Sequence, residues 1–413
     1  MPGKRIVLIL LPWLAFLLRM EAQIDPEHRQ LVHLGYNQPL EGRGPIAGYA
    51  FYYHNEPKFF RENLTLRAAV APTYLDSELG IARVLTPGTD LGIGLAGGGF
   101  ADNYSEVRQG NLRQDESFTG YGGQTSFSLY HTFNPLPEGR TAAAFSEIPL
   151  QAVLRNTLRY STYETSSKTA ADFVIPDDKV AHHLRAGLRW GGREPLMEPA
   201  MAGELSAWYE GQFRADSPRY GFDRDREIEA QTHLFWCRAL AAYTFSNSQR
   251  FEISVTAGTT VNPDRFSSYR PGGALPLGAE FPLMLPGYYS QELTSERFSL
   301  IAANYSVPLA EQFHLLMFGS TAWVDYLTGL EQPGNWHSGI GGGLGWIAPS
   351  GSWHIMVGYG FGMDAIRDGD RGAHNVSLIV QWDLERGGLR LPDIRKTLRT
   401  INPGSLRGGD QRF

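Results

Sequence analysis

The 413-residue sequence contains one cysteine, Cys237, so it can build neither an internal disulfide framework nor a cysteine-ligated zinc site. It has no run of about 20 apolar residues, which excludes a helical membrane protein. Charged residues make up 19% and the net charge is -6, so nothing marks a nucleic-acid partner. Hydrophobic residues reach only 42%, and the mean hydropathy is -0.27. Helical periodicity is almost missing between residues 40 and 385. Against these shortages stand 47 glycines and an aromatic content of 12%. The fold must use many aromatics without being hydrophobic on average.

The N-terminus reads as an export signal. Lys4 and Arg5 precede an apolar run from Ile6 to Leu18, too short to span a bilayer comfortably and interrupted by Pro12. Met20-Glu21-Ala22 suggests cleavage after Ala22 and a signal peptide over 1–22. Residues 23–43 are expected to form a short periplasmic segment, 44–385 a single barrel, and 386–413 a basic tail.

Within 44–385 the pattern is period-2 alternation in segments of about ten residues, separated by turn-rich loops. Leu184, Ala186, Leu188 and Trp190 oppose His183, Arg185, Gly187 and Arg189. Leu205, Ala207 and Tyr209 oppose Glu204, Ser206 and Glu210, and Phe251, Ile253 and Val255 oppose Glu252, Ser254 and Thr256. In an exported chain, two-faced strands of this length predict an all-β fold, a transmembrane antiparallel barrel. Its backbone polar groups pair strand to strand and leave no edge in lipid. Fifteen strands are evident and an even number is expected. Sixteen is therefore the prediction, with the missing strand placed between Ala101 and Tyr121. The inward charges would include Arg67, Arg155, Arg159, Arg185, Arg189, Glu204, Glu210 and Glu252, either paired within the wall or lining an anion-selective channel.

Two features point to a filled lumen. The connection from Asn262 to Glu296 is long and rich in Pro, Gly and aromatic residues, which marks a functional loop rather than a disordered linker. Phe266, Tyr269, Leu275, Leu277, Phe281, Leu283, Met284, Leu285, Tyr288 and Tyr289 need somewhere to pack, and the lumen is the obvious place. Gly339, Gly341, Gly343 and Gly345 share one strand face, and Gly358, Gly360 and Gly362 fall on the polar face of the next. Interior glycines allow close backbone approach or strong bending. Here they would form a trough for the loop, a bend in the sheet, or both.

Three stretches resemble the BamA-type barrels of the bacterial surface-antigen family. Tyr269-Arg270-Pro271-Gly272-Gly273, then Leu285-Pro286-Gly287-Tyr288 and Asn304 to Leu309, are similar to "LGG … LRGY … EYRFPL". Trp323-Val324-Asp325-Tyr326 is similar to "FxDxG". Ser338 to Gly351, followed by Gly358-Tyr359-Gly360, is similar to "GxGxRxxSPxGP". The resemblance covers about residues 262–385. It implies a lumen loop anchored by a loop-tip arginine on a wall acid. Pro286 stands where that arginine would be, while Asp325 keeps the acid position and is expected to face inward with Thr321 and Trp323. Arg265, Arg270 or Arg297 could substitute, or aromatic packing alone could hold the loop. The chain would be a member without the periplasmic repeat (POTRA) domains.

Other motifs carry less. Gly92, Gly94 and Gly97 match a dinucleotide fingerprint but lack the following helix. His182 and His183 would point to opposite faces and cannot pair on a metal. No GxSxG or Ser/His/Asp spacing appears, so no catalytic, cofactor-binding or metal-ligating residues are expected. The resulting expectation is a non-enzymatic, cofactor-free, monomeric outer-membrane barrel in contact with outer-membrane lipid and lipopolysaccharide, and with periplasmic proteins. The resemblance implies insertion or translocation of proteins or lipids, through a plugged lumen and a weak seam between first and last strands. A passive porin-like channel and a soluble secreted β protein are the alternatives.

Overall fold

Alternation leaves every strand with one face for water and one for apolar surroundings, and a closed sheet turns those faces into an inside and an outside. The computed structural model describes residues 27–135, 147–197, 201–274 and 281–387. The proposed signal peptide, the tail from 388 onward, and Leu275 and Leu277 lie outside the described residues.

The chain begins with β1 (Arg29–Pro39), β2 (Ala47–Pro57), β3 (Leu64–Val70), β4 (Tyr74–Ile81) and β5 (Thr89–Gly98). Next come β6 (Tyr104–Arg108), β7 (Asn111–Thr132), β8 (Leu150–Thr165), β9 (Phe173–Val174) and β10 (Lys179–Met197). They are followed by β11 (Met201–Arg214), β12 (Arg219–Phe222), β13 (Arg226–Glu227), β14 (Gln231–Thr244) and β15 (Arg250–Val261). The last five are β16 (Ser295–Ala310), β17 (Phe313–Tyr326), β18 (Trp336–Ile347), β19 (Trp353–Arg367) and β20 (Asp370–Asp383). Sixteen of these, all but β6, β9, β12 and β13, pair with their neighbours in antiparallel register and close into a barrel.

The expected strand number therefore holds, but two boundaries need correction. Residues 29–39, assigned to a periplasmic segment, form β1. Its outward Val32, Leu34 and Tyr36 alternate with His33, Gly35 and Asn37, a pattern too short and too glycine-broken to stand out. Residues 101–121 do not supply the missing strand. Instead β6 and the first half of β7 form a hairpin, and β5 pairs directly with the second half of β7.

The seam is also not weak. β1 and β20 pair from Leu31 opposite Asp383 to Pro39 opposite Asn375, and Leu384 N–H donates to Gln30 O at 3.0 Å. That register is longer than the β2–β3 pairing, which runs only from Tyr52 to Pro57. The wall is lowest two strands along from the seam, where β3 has 7 residues and β4 has 8.

The outward face carries exposed Leu95, Phe127, Leu154, Leu188, Leu205, Ile253, Ile301, Leu344, Val357 and Leu378. A continuous belt of this kind is the face a membrane barrel turns to lipid. Connections at the end holding the first and last residues (the terminal end) include the two residues between β16 and β17. The opposite loop end carries the β6–β7 hairpin, the small β9–β12–β13 sheet and the long 262–294 connection. Buried apolar residues gather at this loop end in two clusters. One surrounds Leu285, Tyr288 and Leu293, and the other surrounds Phe118, Tyr220 and Phe173.

Candidate functional site: the plugged lumen

The long loop enters the lumen through a chain of local backbone bonds. Tyr269 and Ser295 exchange N–H···O bonds at 3.0 and 2.9 Å, and Gly272 N–H and Leu285 N–H reach Leu283 O and Gly273 O at 2.8 and 3.0 Å. Asp264 fixes the start of the loop. Its carboxylate accepts from Phe266 N–H, Ser267 N–H and Arg214 at 2.8, 2.9 and 3.0 Å.

The tip meets the glycine face. A Cβ on Gly339 would lie 2.2 Å from Pro286 O, and one on Gly360 would lie 3.0 Å from both Gly287 N and Pro286 Cβ. Gly287 itself adopts φ +82, and a side chain there would strike Gly362 N. The structure thus brings Pro286 and Gly287 against Gly339, Gly360 and Gly362 at distances only glycine permits. Gly341, Gly343 and Gly358 lie farther from the tip, where side chains would meet Phe318, Val357 O and Ser377. Gly345 is inward on the same face of β18, opposite His314.

Leu285 and Tyr288 are fully buried. Tyr288 Oη is 3.0 Å from His337 Nδ1, whose Nε2 contacts the Tyr326 hydroxyl. One imidazole therefore joins a loop phenol to a wall phenol. Burial pushes the Tyr288 phenol well above its ordinary value, with Glu292 adding to the shift. Phe281, on the other limb of the loop, packs 5.4 and 5.8 Å from the inward Trp208 and Trp236.

Asp325 does not take the expected inward position. It lies on the outward face of β17 with Thr321 and Trp323, opposite Arg297, which it binds at 2.7 Å. The inward residues are Ala322 and Val324, both fully buried against the loop. Arg265 and Arg270 do not anchor the tip either. They hold the β6–β7 hairpin, Arg265 through Glu106 at 3.3 Å and Arg270 through Ser105 O at 2.8 Å. Burial opposes ionisation of Glu106. Arg265, the Tyr104 hydroxyl and Arg226 outweigh it and hold the carboxyl below its ordinary value.

The anchor is instead a pair of reversed sign. Glu292 of the loop accepts two hydrogen bonds from the Arg367 guanidinium of β19, both at 2.9 Å, with side chains 0% and 3% exposed. Arg367 also donates to Gly287 O at 3.3 Å and stacks over the Tyr289 ring at 3.5 Å. Tyr289 lies beneath the β1–β2 turn, and its hydroxyl donates to Glu41 O at 3.2 Å. A bidentate, desolvated pair is among the strongest orienting contacts available to a protein.

The inward charges are paired, all within the wall except Arg159, whose partner lies in the β5–β6 turn. Arg155 binds Glu78 at 3.0 Å, Arg159 binds Asp102, Arg185 binds Glu210 at 2.6 Å, and Arg189 binds Glu204 at 3.3 Å. Arg67 binds Asp76 at 3.1 Å, and Glu252 faces Arg250 at 3.6 Å. The first three pairs and Arg67 line a polar cavity of about 340 Å³ between β3 and β11. A second cavity of about 150 Å³ lies under the loop, lined by Phe281, Met284, Leu300, Phe318, Met356 and Ile379.

No protein-family model matches the chain, and no curated protein matches it by sequence. Among solved structures it is similar to CdiB from Escherichia coli, with a TM-score of 0.57 and 11% identity over 87% of this chain and 64% of that one. It is also similar to CdiB from Acinetobacter baumannii, with a TM-score of 0.54 and 10% identity over 86% and 60%. BamA from Haemophilus ducreyi lacking POTRA domains 1–3 gives a TM-score of 0.50 and 9% identity over 86% and 70%. The chain therefore shares its barrel fold with these proteins while spanning 60–70% of their lengths.

Proposed function

We propose that the protein is an integral outer-membrane barrel with its terminal end in the periplasm, and that it acts without enzymatic chemistry in inserting or translocating proteins or lipids. The observation that carries this reading is the plug. A passive channel needs an open lumen, whereas here the loop tip sits on bare glycine backbone and is held by Glu292 and Arg367. The low wall at β3 and β4 adds to it. A spanning strand needs about 9–11 residues, and β3 and β4 fall short of that. A wall of this height thins or distorts the bilayer beside it, which favours lateral traffic over passage through the pore.

Planar-bilayer recording tests the plug. The intact chain is expected to give little steady current, and deletion of residues 265–290 is expected to open it. Large steady currents that are identical in both would return the passive channel. Proteoliposomes test the activity. Embedded barrel should speed the folding of an added urea-denatured eight-stranded barrel, read by heat-modifiable migration. No acceleration over empty liposomes would remove the insertion role.

A further inference from the structure

On the outer side of the terminal end, three potential metal ligands converge from the two arms of the first hairpin. His28 precedes β1, while His54 and Glu56 lie on the outward side of β2, and their ligand atoms all fall within 4.8 Å of one another. His28 Nε2 is 3.0 Å from Glu56 Oε2, and His54 Nε2 is 3.6 Å from the same oxygen. Zinc held tetrahedrally by bonds of about 2.0–2.1 Å separates its ligand atoms by about 3.3 Å, and the two distances straddle that value. The rings stand edge to face at 89°, so their ring nitrogens approach the carboxylate from different directions.

The surroundings match a metal site as well. A ligating imidazole almost always gives its second ring N–H to a carboxylate, carbonyl or similar acceptor, which fixes its orientation. His28 Nδ1 contacts the Glu385 carboxylate just beyond β20, and His54 Nδ1 is 3.2 Å from the Tyr52 hydroxyl. Both histidines thus present Nε2 to Glu56 and anchor Nδ1 elsewhere. The His54 side chain is 3% exposed and His28 is 41% exposed, so the site is walled on the barrel side and open toward solvent, where water can complete the coordination.

We propose that His28, His54 and Glu56 bind one zinc ion, and that the bound ion clamps the seam. It would tie the chain before β1 to β2 and, through Glu385 on His28, to the chain after β20. Two imidazoles and a carboxylate suit zinc better than calcium or magnesium, which take oxygen ligands.

The full chain, folded in detergent micelles, is titrated with Zn²⁺ against a chromophoric chelator. One zinc per chain is expected. His54→Ala and Glu56→Gln should each weaken binding at least 100-fold, and Glu385→Gln about 10–100-fold. His182→Ala on β10 should change nothing. Heat-modifiable migration confirms that each variant still closes its barrel. The temperature at which the folded band is lost should rise with zinc and fall back with EDTA in the parent chain, but not in His54→Ala. No stoichiometric zinc, or binding unaltered by both His54→Ala and Glu56→Gln, would overturn the site. Zinc that binds without moving the transition temperature would overturn the clamp.

Discussion

Arg185 and Glu210 on β10 and β11 face a polar cavity of about 340 Å³, whereas across the barrel β17 to β20 turn Leu316, Phe318, Met356, Ile379 and a stripe of glycines inward. On the first side, charges pair across neighbouring strands, and Arg155 and Arg185 at the cavity keep part of their hydration. On the second, the loop replaces water, and the ion pair that anchors it, Glu292–Arg367, is dry. The lumen is therefore two environments: a charged wall stiffened by its own pairs, and an apolar, glycine-cut wall completed by another segment of the chain. A salt bridge has a different energetic meaning in each. Where solvent reaches both partners, losing one leaves a hydrated charge. Where it does not, losing one strands a buried charge.

The largest expected effect breaks that contrast at its strongest point. Arg367→Ala leaves Glu292 buried without its partner and is expected to cost about 3–5 kcal/mol. Urea unfolding of the detergent-folded barrel, followed by tryptophan emission, measures it. Glu292→Met combined with Arg367→Met removes both charges and should recover most of the loss. A double variant no better than Arg367→Ala alone would mean that the pair's contribution lies in its packing on Tyr289 rather than in charge compensation.

A middle-sized effect tests how the glycine wall receives the loop. In Gly339→Val the new Cβ would fall 2.2 Å from Pro286 O, so the tip must leave or the strand must shift. Overpacking of this kind costs about 1–3 kcal/mol, and bilayer recording should show raised current from a barrel that still migrates as folded. Gly319→Val is the matched control. Gly319 faces outward, and a Cβ there meets only Ile340 Cγ2 at 3.4 Å and Gly339 O at 3.5 Å, so it should leave the current unchanged. Equal currents from the two variants would show that the trough does not seat the plug.

The same contrast explains what was legible in the sequence. Barrel class and fifteen strands followed from alternation, because the lipid side obeys it almost everywhere; the sixteenth was expected only from the even number such barrels carry, and its place was not legible. Loop and glycines were also legible, since both are composition signals. Asp325 was misplaced because the resemblance implies a wall acid that faces the loop. Next to the plug apolar residues face inward: Ala322 and Val324 do so because a loop covers them, and Asp325 faces out beside Arg297. Arg367 was missed for a second reason. From Gly358, Gly360 and Gly362, strict alternation would send residue 367 outward. A register shift between Gly362 and Ile366 reverses the phase and turns it onto Glu292. His28, His54 and Glu56 carry no motif spacing at all; only the pairing of β1 with β2 brings them together.

The smallest expected effect completes the comparison from the charged side. Arg185 and Glu210 are 29% and 12% exposed as side chains and border the 340 Å³ cavity, so either partner left alone can still be hydrated. Arg185→Ala should therefore cost at most about 1 kcal/mol in the same urea measurement, several-fold less than Arg367→Ala. Its consequence is electrostatic rather than structural. With residues 265–290 deleted so that the lumen conducts, Arg185→Glu should move the reversal potential in a salt gradient toward cation selectivity, because one positive charge in the cavity wall becomes negative. If Arg185→Ala instead costs as much as Arg367→Ala, the cavity around it is dry, and the two sides of the lumen do not differ in the way their side chains indicate.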